Sequence, residues 1–499
     1  MWTQRQMSID RNSPVPIYHQ LKMLIQERIQ QGVWRPGDRI PTQDELCNLY
    51  QISRAPVRQA LSELAHEGVL MQRPGVGTFV CQKSPSSAVT IQMMASDAMF
   101  QSHILDHVVR VWNATNPTCR LSLQVETVSH GQLYNQLGAA VGSGAAPDVA
   151  MVDCVWVAGL AQAGFLYALE EMNSRWKQDE FVQNLYPAFV AANSFNGLLY
   201  GVPVKADVSL LWYRRDWFDA EGIEPPQDWD ALVEVGRYFL QPAIRQRYGM
   251  PYPFVFPGGS AAGEATVYNL MPLVWSAGAA IFDGETVVLD AAGTRRALQF
   301  LRDVVNLHRI SPIEIVDFRE DTAVRLFAAG KAVMALGGSY ESDIILEASG
   351  WNREEFHQRV GFVPSPAAPG GKTISTVGGT SYVILRQSQQ PALTMDFLRV
   401  ATDPAVVGEL FRTMWYNSPN PSFNETLSPD SEPLLAWTGH MLASGRARPS
   451  IPEYVKVSRQ LQAMFEAAIV ETSPVEQIAR RTAEFIGVIS ERACRHEPF

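Results

Sequence analysis

At 499 residues the chain exceeds the size at which one hydrophobic core stops growing, so two or three domains are expected. Its 46% hydrophobic and 18% charged content excludes long disorder, and the lack of any apolar run of about 18 residues argues against a membrane-spanning helix. The net charge of -10 is unevenly spread: residues 1–84 carry +3 and residues 85–499 carry -13, so only the head is suited to a polyanion.

The opening stretch Met1 to Arg11 is polar where a secretory signal would be apolar, which leads to the expectation of a cytoplasmic protein with no membrane association. Cys47, Cys81, Cys119, Cys154 and Cys494 are odd in number and scattered, with no CxxC pair, and read as reduced thiols.

Pro16 stands where a first helical turn tolerates proline, and Ile17, Leu21, Leu24, Ile25 and Ile29 follow at helical spacing until Gly32. A turn-rich connector, Trp34 to Pro41, leads to Thr42-Gln43-Asp44-Glu45, a capping box that opens a short helix ending near Tyr50. Ser53 can cap a third helix in which Val57, Ala60, Leu61 and Leu64 face inward and Gly68 ends the run. Arg54 and Arg58, one turn apart, project from the opposite face beside Ala55. That placement suits a recognition helix whose first turns enter the major groove. Val69 to Arg73 and Thr78 to Cys81 read as two short strands around Pro74-Gly75-Val76-Gly77, a wing.

Three helices and a hairpin could equally be a small packed domain with a solvated arginine face. The segments Pro16 to Leu21, Pro36 to Pro41, Ser53 to Leu61 and Gly75 to Val80 distinguish the two: across residues 14–80 the chain resembles the GntR family of bacterial winged-helix regulators. The resemblance implies that Arg54 and Arg58 contact the major groove, that Ser53 binds a backbone phosphate and that Gly75 approaches the minor groove. It also implies DNA-binding positions at Arg39, Thr42, Gln43, Ala55, Arg73 and Gly77. The family often has an arginine where Asp44 stands here, so one usual contact is missing.

Lys83-Ser84-Pro85-Ser86-Ser87 is a polar, proline-bearing boundary, giving an expected head at 1–82, a linker at 83–88 and a body at 89–499. In the body, strands at Val89 to Ala95, Leu121 to Thr127 and Asp148 to Val152 alternate with helices at His103 to Trp112 and Gln132 to Val141, the pattern of an open, largely parallel sheet. Ligands of such sheets bind at the carboxyl ends of strands, which places Ser96, Asp97, Asp153 and Trp156 near a cleft. A lone Asp after a strand is as readily a helix cap. Beyond a hairpin-like passage at Asn196 to Pro203 comes the aromatic stretch Leu210 to Phe218.

Separated segments, among them Ala146-Pro147-Asp148-Val149, Leu199 to Pro203, Gly222 to Trp229, Phe327 to Met334 and Gly378 to Tyr382, resemble the extracellular solute-binding proteins of sugar ABC importers. The implied fold class is an N-terminal winged helix-turn-helix (α+β) followed by a two-lobed α/β periplasmic-binding-protein-like domain of type II. The resemblance carries Asp153, Trp156, Lys205, Asp207, Tyr340, Gly378 and Gly379 into the cleft, with Trp275 and Trp415 as further positions, and Asp97 joins them by its place after a strand. The implied partners are operator DNA and a small ligand, a sugar or oligosaccharide, with a homodimer presenting two heads.

Other signals are set aside. Gly370-Gly371-Lys372-Thr373 lacks the first glycine of a phosphate loop, and Ser174-Arg175-Trp176-Lys177 lacks its companion motifs. His103 and His107 have no evident third metal ligand, so no metal is expected. Five lysines follow residue 84, none in a context resembling the imine-forming segment of the aminotransferase-like bodies that some regulators of this kind carry. No catalytic residues and no cofactor are expected. A pyridoxal-phosphate enzyme body, or a constitutive DNA binder with a dead cleft, are the competing readings.

Overall fold

The computed structural model describes residues 9, 11, 16–30, 32–66, 69–73, 77–81, 88–96, 100–172 and 180–498. The chain separates into two compact units, residues 1–89 with 113–120, and residues 90–112 with 121–499.

In the first unit α1 (Ile17–Gln30), α2 (Gln43–Tyr50) and α3 (Arg54–His66) are followed by the antiparallel pair β1 (Leu70–Arg73) and β2 (Gly77–Val80), with Leu70 opposite Val80. Leu21, Ile25, Leu46, Val57, Ala60, Leu61, Leu64 and Leu70 are buried into one core, as the helical spacing requires. Each fully buried leucine or isoleucine there contributes about 1.5–3 kcal/mol. The capping box forms: the Glu45 N–H donates to Thr42 Oγ1 at 3.3 Å, and Glu45 Oε2 accepts from the Thr42 N–H at 2.7 Å. The Thr42 N–H and the Thr42 hydroxyl, both donating to Glu45 Oε2, hold its carboxyl below the usual range. The wing tip with Gly75, the Arg73 side chain and most of the expected linker lie outside the described residues.

The second unit is built on a nine-stranded mixed sheet. Its main path runs β4 (Leu121–Thr127), β3 (Val89–Ala95), β5 (Val149–Asp153), β14 (Thr376–Ile384), β8 (Gly201–Arg214), β12 (Ala332–Gly338), β9 (Tyr252–Val255). β13 (Val360–Val363) joins β8, and β15 (Arg446–Ala447) joins β14. Among the described residues five short strands complete the set: the hairpin β6 (Ser194–Phe195) and β7 (Leu198–Leu199), and a small sheet of β10 (Phe282–Asp283), β11 (Thr286–Val287) and β16 (Ala493–Cys494). β3 and β5 are parallel, as are β9 and β12.

The expected largely parallel sheet is corrected by β8 and β14, which run antiparallel to each other and to their other main-path neighbours. β8 is 14 residues long, roughly 46 Å of extended chain, enough to serve two lobes. Its first half pairs with β14, and from Ser209 onward it pairs with β12 and β13. The aromatic stretch after Leu210 is thus partly the end of a crossing strand, buried on both faces, so neither alternation nor helical period marks it. Pro203 cannot donate to a ladder, and opposite it the register shifts between Thr380 and Ser381.

The first lobe centres on Met94, Val152, Trp156 and Leu160. In the second lobe the helices Glu264–Ser276, Ala292–Asn306, Tyr454–Val470 and Val475–Ser490 pack on one another. Among the described residues no helix is long and apolar enough to cross a membrane.

Candidate functional sites

On the first unit, Ser53, Arg54, Ala55 and Arg58 are exposed along the first turns of α3, while Val57, Ala60 and Leu61 turn inward. Gln43 is exposed at the start of α2. Arg39 lies across β2: a Cβ on Gly77, whose φ is 140°, would come 2.6 Å from Arg39 Nε. Glycine there lets the guanidinium rest against the wing strand. The Thr42 hydroxyl is engaged in the cap of α2. Asp44, the position read as a missing contact, is ion-paired with Arg54, with Oδ1 2.8 Å from Nη2.

In the second unit, the carboxyl end of β5 and the crossing strands bring polar groups of both lobes together. Asp153 ends β5 and its Oδ1 accepts from the Val155 N–H at 3.2 Å. It therefore is a helix cap, as a lone Asp after a strand can be, but it also lies 3.3 Å from Nη2 of Arg448. Arg448, with its side chain 2% exposed, belongs to the segment returning from β15 to the second lobe. Its Nη1 donates to Glu264 Oε1 at 2.6 Å, at the start of the helix Glu264–Ser276. The same carboxylate accepts from Tyr454 and Ser458, each at 2.5 Å. Burial works against the Arg448 charge, and Asp153 and Glu264 outweigh it, holding its pKa upward.

Asp207, on β8, accepts from the Tyr268 hydroxyl at 2.6 Å. Burial raises its pKa, with the Tyr268 bond and Arg448 pulling the other way. The Arg448 guanidinium carbon lies 5.3 Å from the Tyr268 ring centre, and the Tyr268 and Tyr340 rings meet edge to face at 5.9 Å. Gly378 closes this cluster: a Cβ there would fall 2.7 Å from Asp207 Oδ1 and 2.8 Å from the Tyr268 ring. Gly379, at φ 153°, leaves no room beside the Lys205 carbonyl, 2.0 Å from an added Cβ. Lys205 lies over the rings of Tyr416 and Phe100, at 4.4 and 5.2 Å.

Trp156 is buried against His130, with ring centres 5.0 Å apart, and His130 stands between Asp153 (3.9 Å) and Glu320 of the second lobe (3.8 Å). Behind Tyr340, Glu341 is buried and accepts from Trp212 Nε1 at 3.0 Å and the Gly338 N–H at 3.1 Å. Burial pushes its carboxyl up to about 8, against the pull of those two bonds.

Asp153, Asp207, Tyr340 and Gly378 thus gather around Arg448, with Trp156 joined through His130, Gly379 one register step away and Lys205 two. Trp275 packs under Arg446 at 5.0 Å, and Trp415 packs on Phe356, His357 and Arg353. Asp97 lies outside the described residues. Sequence reasoning missed Arg448, Glu264, Tyr268, His130 and Glu320, which converge from distant segments with no local pattern. Among the described residues no group of three or more His, Cys, Asp or Glu is placed to hold a metal.

The family model described as bacterial extracellular solute-binding protein matches residues 85–407. The chain belongs to this solute-binding family. Its N-terminus is a domain of the gntR family of bacterial regulatory proteins, matched over residues 17–80. The histidine utilization repressor of Klebsiella aerogenes is 40% identical over 94 residues, covering 19% of this chain and 39% of that protein. A putative binding protein of Brucella abortus (strain 2308) is 24% identical over 287 residues, 57% of this chain and 64% of its own. The chain thus spans less than two thirds of each. A solute-binding protein of an ABC transporter from Thermotoga lettingae, solved with alpha-D-tagatose, superposes with a TM-score of 0.71 at 21% identity over 81% of this chain and 100% of its own. The maltose-bound T. maritima MalE3 gives 0.68 at 23% identity, again over 81% and 100%. These likenesses fix the body as a two-lobed α/β solute-binding fold.

Proposed function

We propose that the chain is a ligand-responsive, DNA-binding transcription regulator of the cytoplasm, acting as a homodimer whose heads, residues 1–82, read operator DNA. A linker at 83–88 leads to a body, residues 89–499, that binds its ligand and does not transform it. The observation that carries this reading is the joining, in one chain, of a gntR-type head to a solute-binding fold in which Arg448 ties Asp153 of one lobe to Glu264 of the other.

Closure on a solute is the means by which the body would favour one arrangement of the heads, because a ligand shifts an equilibrium only by binding its two states unequally. The carboxylates of Asp153, Asp207 and Glu264 accept hydroxyl hydrogens, and the faces of Trp156 and Tyr340 suit a sugar ring. The tagatose and maltose held by the two solved neighbours point to the same class. Lys205, Gly378 and Gly379 complete the proposed pocket edge, and Asp97 is a proposed ligand residue by its place in the sequence after β3. On the head, Arg39, Gln43, Ser53, Arg54, Ala55, Arg58, Arg73, Gly75 and Gly77 form the proposed DNA surface, with Thr42 holding α2 in place.

A thermal-shift series with monosaccharides, oligosaccharides and polyols tests the body, and selection of duplexes from a random library by the full chain tests the head. Stabilisation by a sugar together with enrichment of a two-fold symmetric sequence is expected. A visible imine absorbance, or turnover of a bound compound, would favour an enzyme instead.

A further inference from the structure

The ion pair between Asp44 and Arg54 joins the first turn of α2 to the first residue of α3, on the face that also carries exposed Arg58. Both partners are open to water, with side chains 65% and 76% exposed. Arg58, one turn further along, makes no ion pair among the described residues. The two arginines of one face are therefore in different electrostatic states before any DNA arrives: one is matched by a carboxylate and one is not. Asp44 is held in place because the capping box of Thr42 and Glu45 fixes the turn on which it sits.

We infer that Asp44 is a specificity-determining residue of the head, one that withholds Arg54 from the phosphate backbone and releases it to a base edge. This rests on the DNA-binding reading of the head. An arginine with no acidic partner binds any phosphate, which supplies affinity without sequence information. For Arg54 a single phosphate oxygen must replace the carboxylate while Asp44, left nearby on α2, repels the same phosphate. A guanine edge offers two acceptors to the guanidinium fork and carries no charge for Asp44 to oppose. The pair thus penalises the non-specific complex more than the specific one, the form of discrimination that acts by disfavouring wrong partners.

The test compares the full chain with Asp44→Asn, Arg54→Ala and the double variant, each titrated with a duplex selected by the wild-type chain and with a random-sequence duplex, over a range of salt. Asp44→Asn should tighten random-duplex binding by about tenfold, steepen its salt slope by about one, and lower the specific-to-random ratio by a similar factor. In the Arg54→Ala background Asp44→Asn should leave that ratio unchanged. An unchanged ratio in the single Asp44→Asn variant, with wild type binding its selected duplex, overturns the inference. Failure of wild type to enrich or bind any duplex overturns instead the reading on which it rests. Native-like thermal unfolding of each variant keeps either result from being ascribed to misfolding.

Discussion

Arg448 Nη1 lies 2.6 Å from Glu264 Oε1, and its other terminal nitrogen lies 3.3 Å from Asp153 Oδ1. One buried cation therefore neutralises a carboxylate from each lobe. Such a triad does not add stability by existing, since desolvation offsets most of the attraction, but it is costly to break from one side.

Replacing Arg448 by alanine leaves Asp153 and Glu264 buried without their common partner. The expected loss is about 3–5 kcal/mol of stability, read as a lowered denaturation midpoint. Glu264→Gln keeps the hydrogen bonds from Tyr454 and Ser458 in altered form and should cost less. The double variant should be less destabilised than the sum of the single ones, because the cost of the unpaired charge is shared.

Glu341 makes stability depend on pH in a stated direction. Its carboxyl is pushed from 4.5 to about 8 in the folded chain, so the folded state keeps a proton that the unfolded chain has released. The contribution is full below about pH 4.5, declines as pH rises through 8, and amounts to a few kcal/mol. Glu341→Gln should flatten the fall in melting temperature between about pH 5 and pH 8. A wild-type profile that is already flat in that window would show that the buried carboxyl does not hold its proton.

The two glycines of β14 set how closely the crossing strands and the cluster approach. Gly378→Ala forces a Cβ to within 2.7 Å of Asp207 Oδ1, so Asp207 and Tyr268 must move. Gly379→Ala meets the Lys205 backbone carbonyl at 2.0 Å in a conformation that favours glycine, and no flexible group can yield. The expected cost is about 1–3 kcal/mol for Gly378→Ala, and more for Gly379→Ala. Calorimetry of the two variants gives the order, and reversal of that order would contradict the strand geometry described here.

Arg58→Ala should weaken binding to a selected duplex by roughly tenfold or more while leaving any sugar-induced thermal shift intact. Parallel gel-shift and thermal-shift titrations check both halves. Equal loss of both would mean that the head and body are not separable in function.

Much of the head was legible because its signals are local. The cap at Thr42, the inward spacing of Val57, Ala60, Leu61 and Leu64, and the strands flanking the wing all act within a few residues, and the structure places them within a residue or two of expectation. In the body, β3 and β4 were legible at their full bounds for the same reason. β8 was not, since a strand that serves two lobes is buried on both faces over most of its length, with Lys205, Asp207 and Tyr213 only partly so, and shows no period. Nor was the cluster around Arg448, whose members come from β5, β8, the helix Glu264–Ser276 and the segment after β15, brought together only by the crossing of the chain. Trp275 and Trp415 enter the site only by the resemblance; Trp275 lies under Arg446 and Trp415 against Phe356.

Coupling between solute and DNA is measured most directly by titrating a selected duplex with the full chain in the absence and presence of a saturating sugar that raises its melting temperature. The expected result is a change in DNA affinity, mirrored by an equal change in sugar affinity when the duplex is bound, because coupling of two equilibria is reciprocal. A sugar that stabilises the protein yet leaves duplex affinity untouched, in either order of addition, would contradict it.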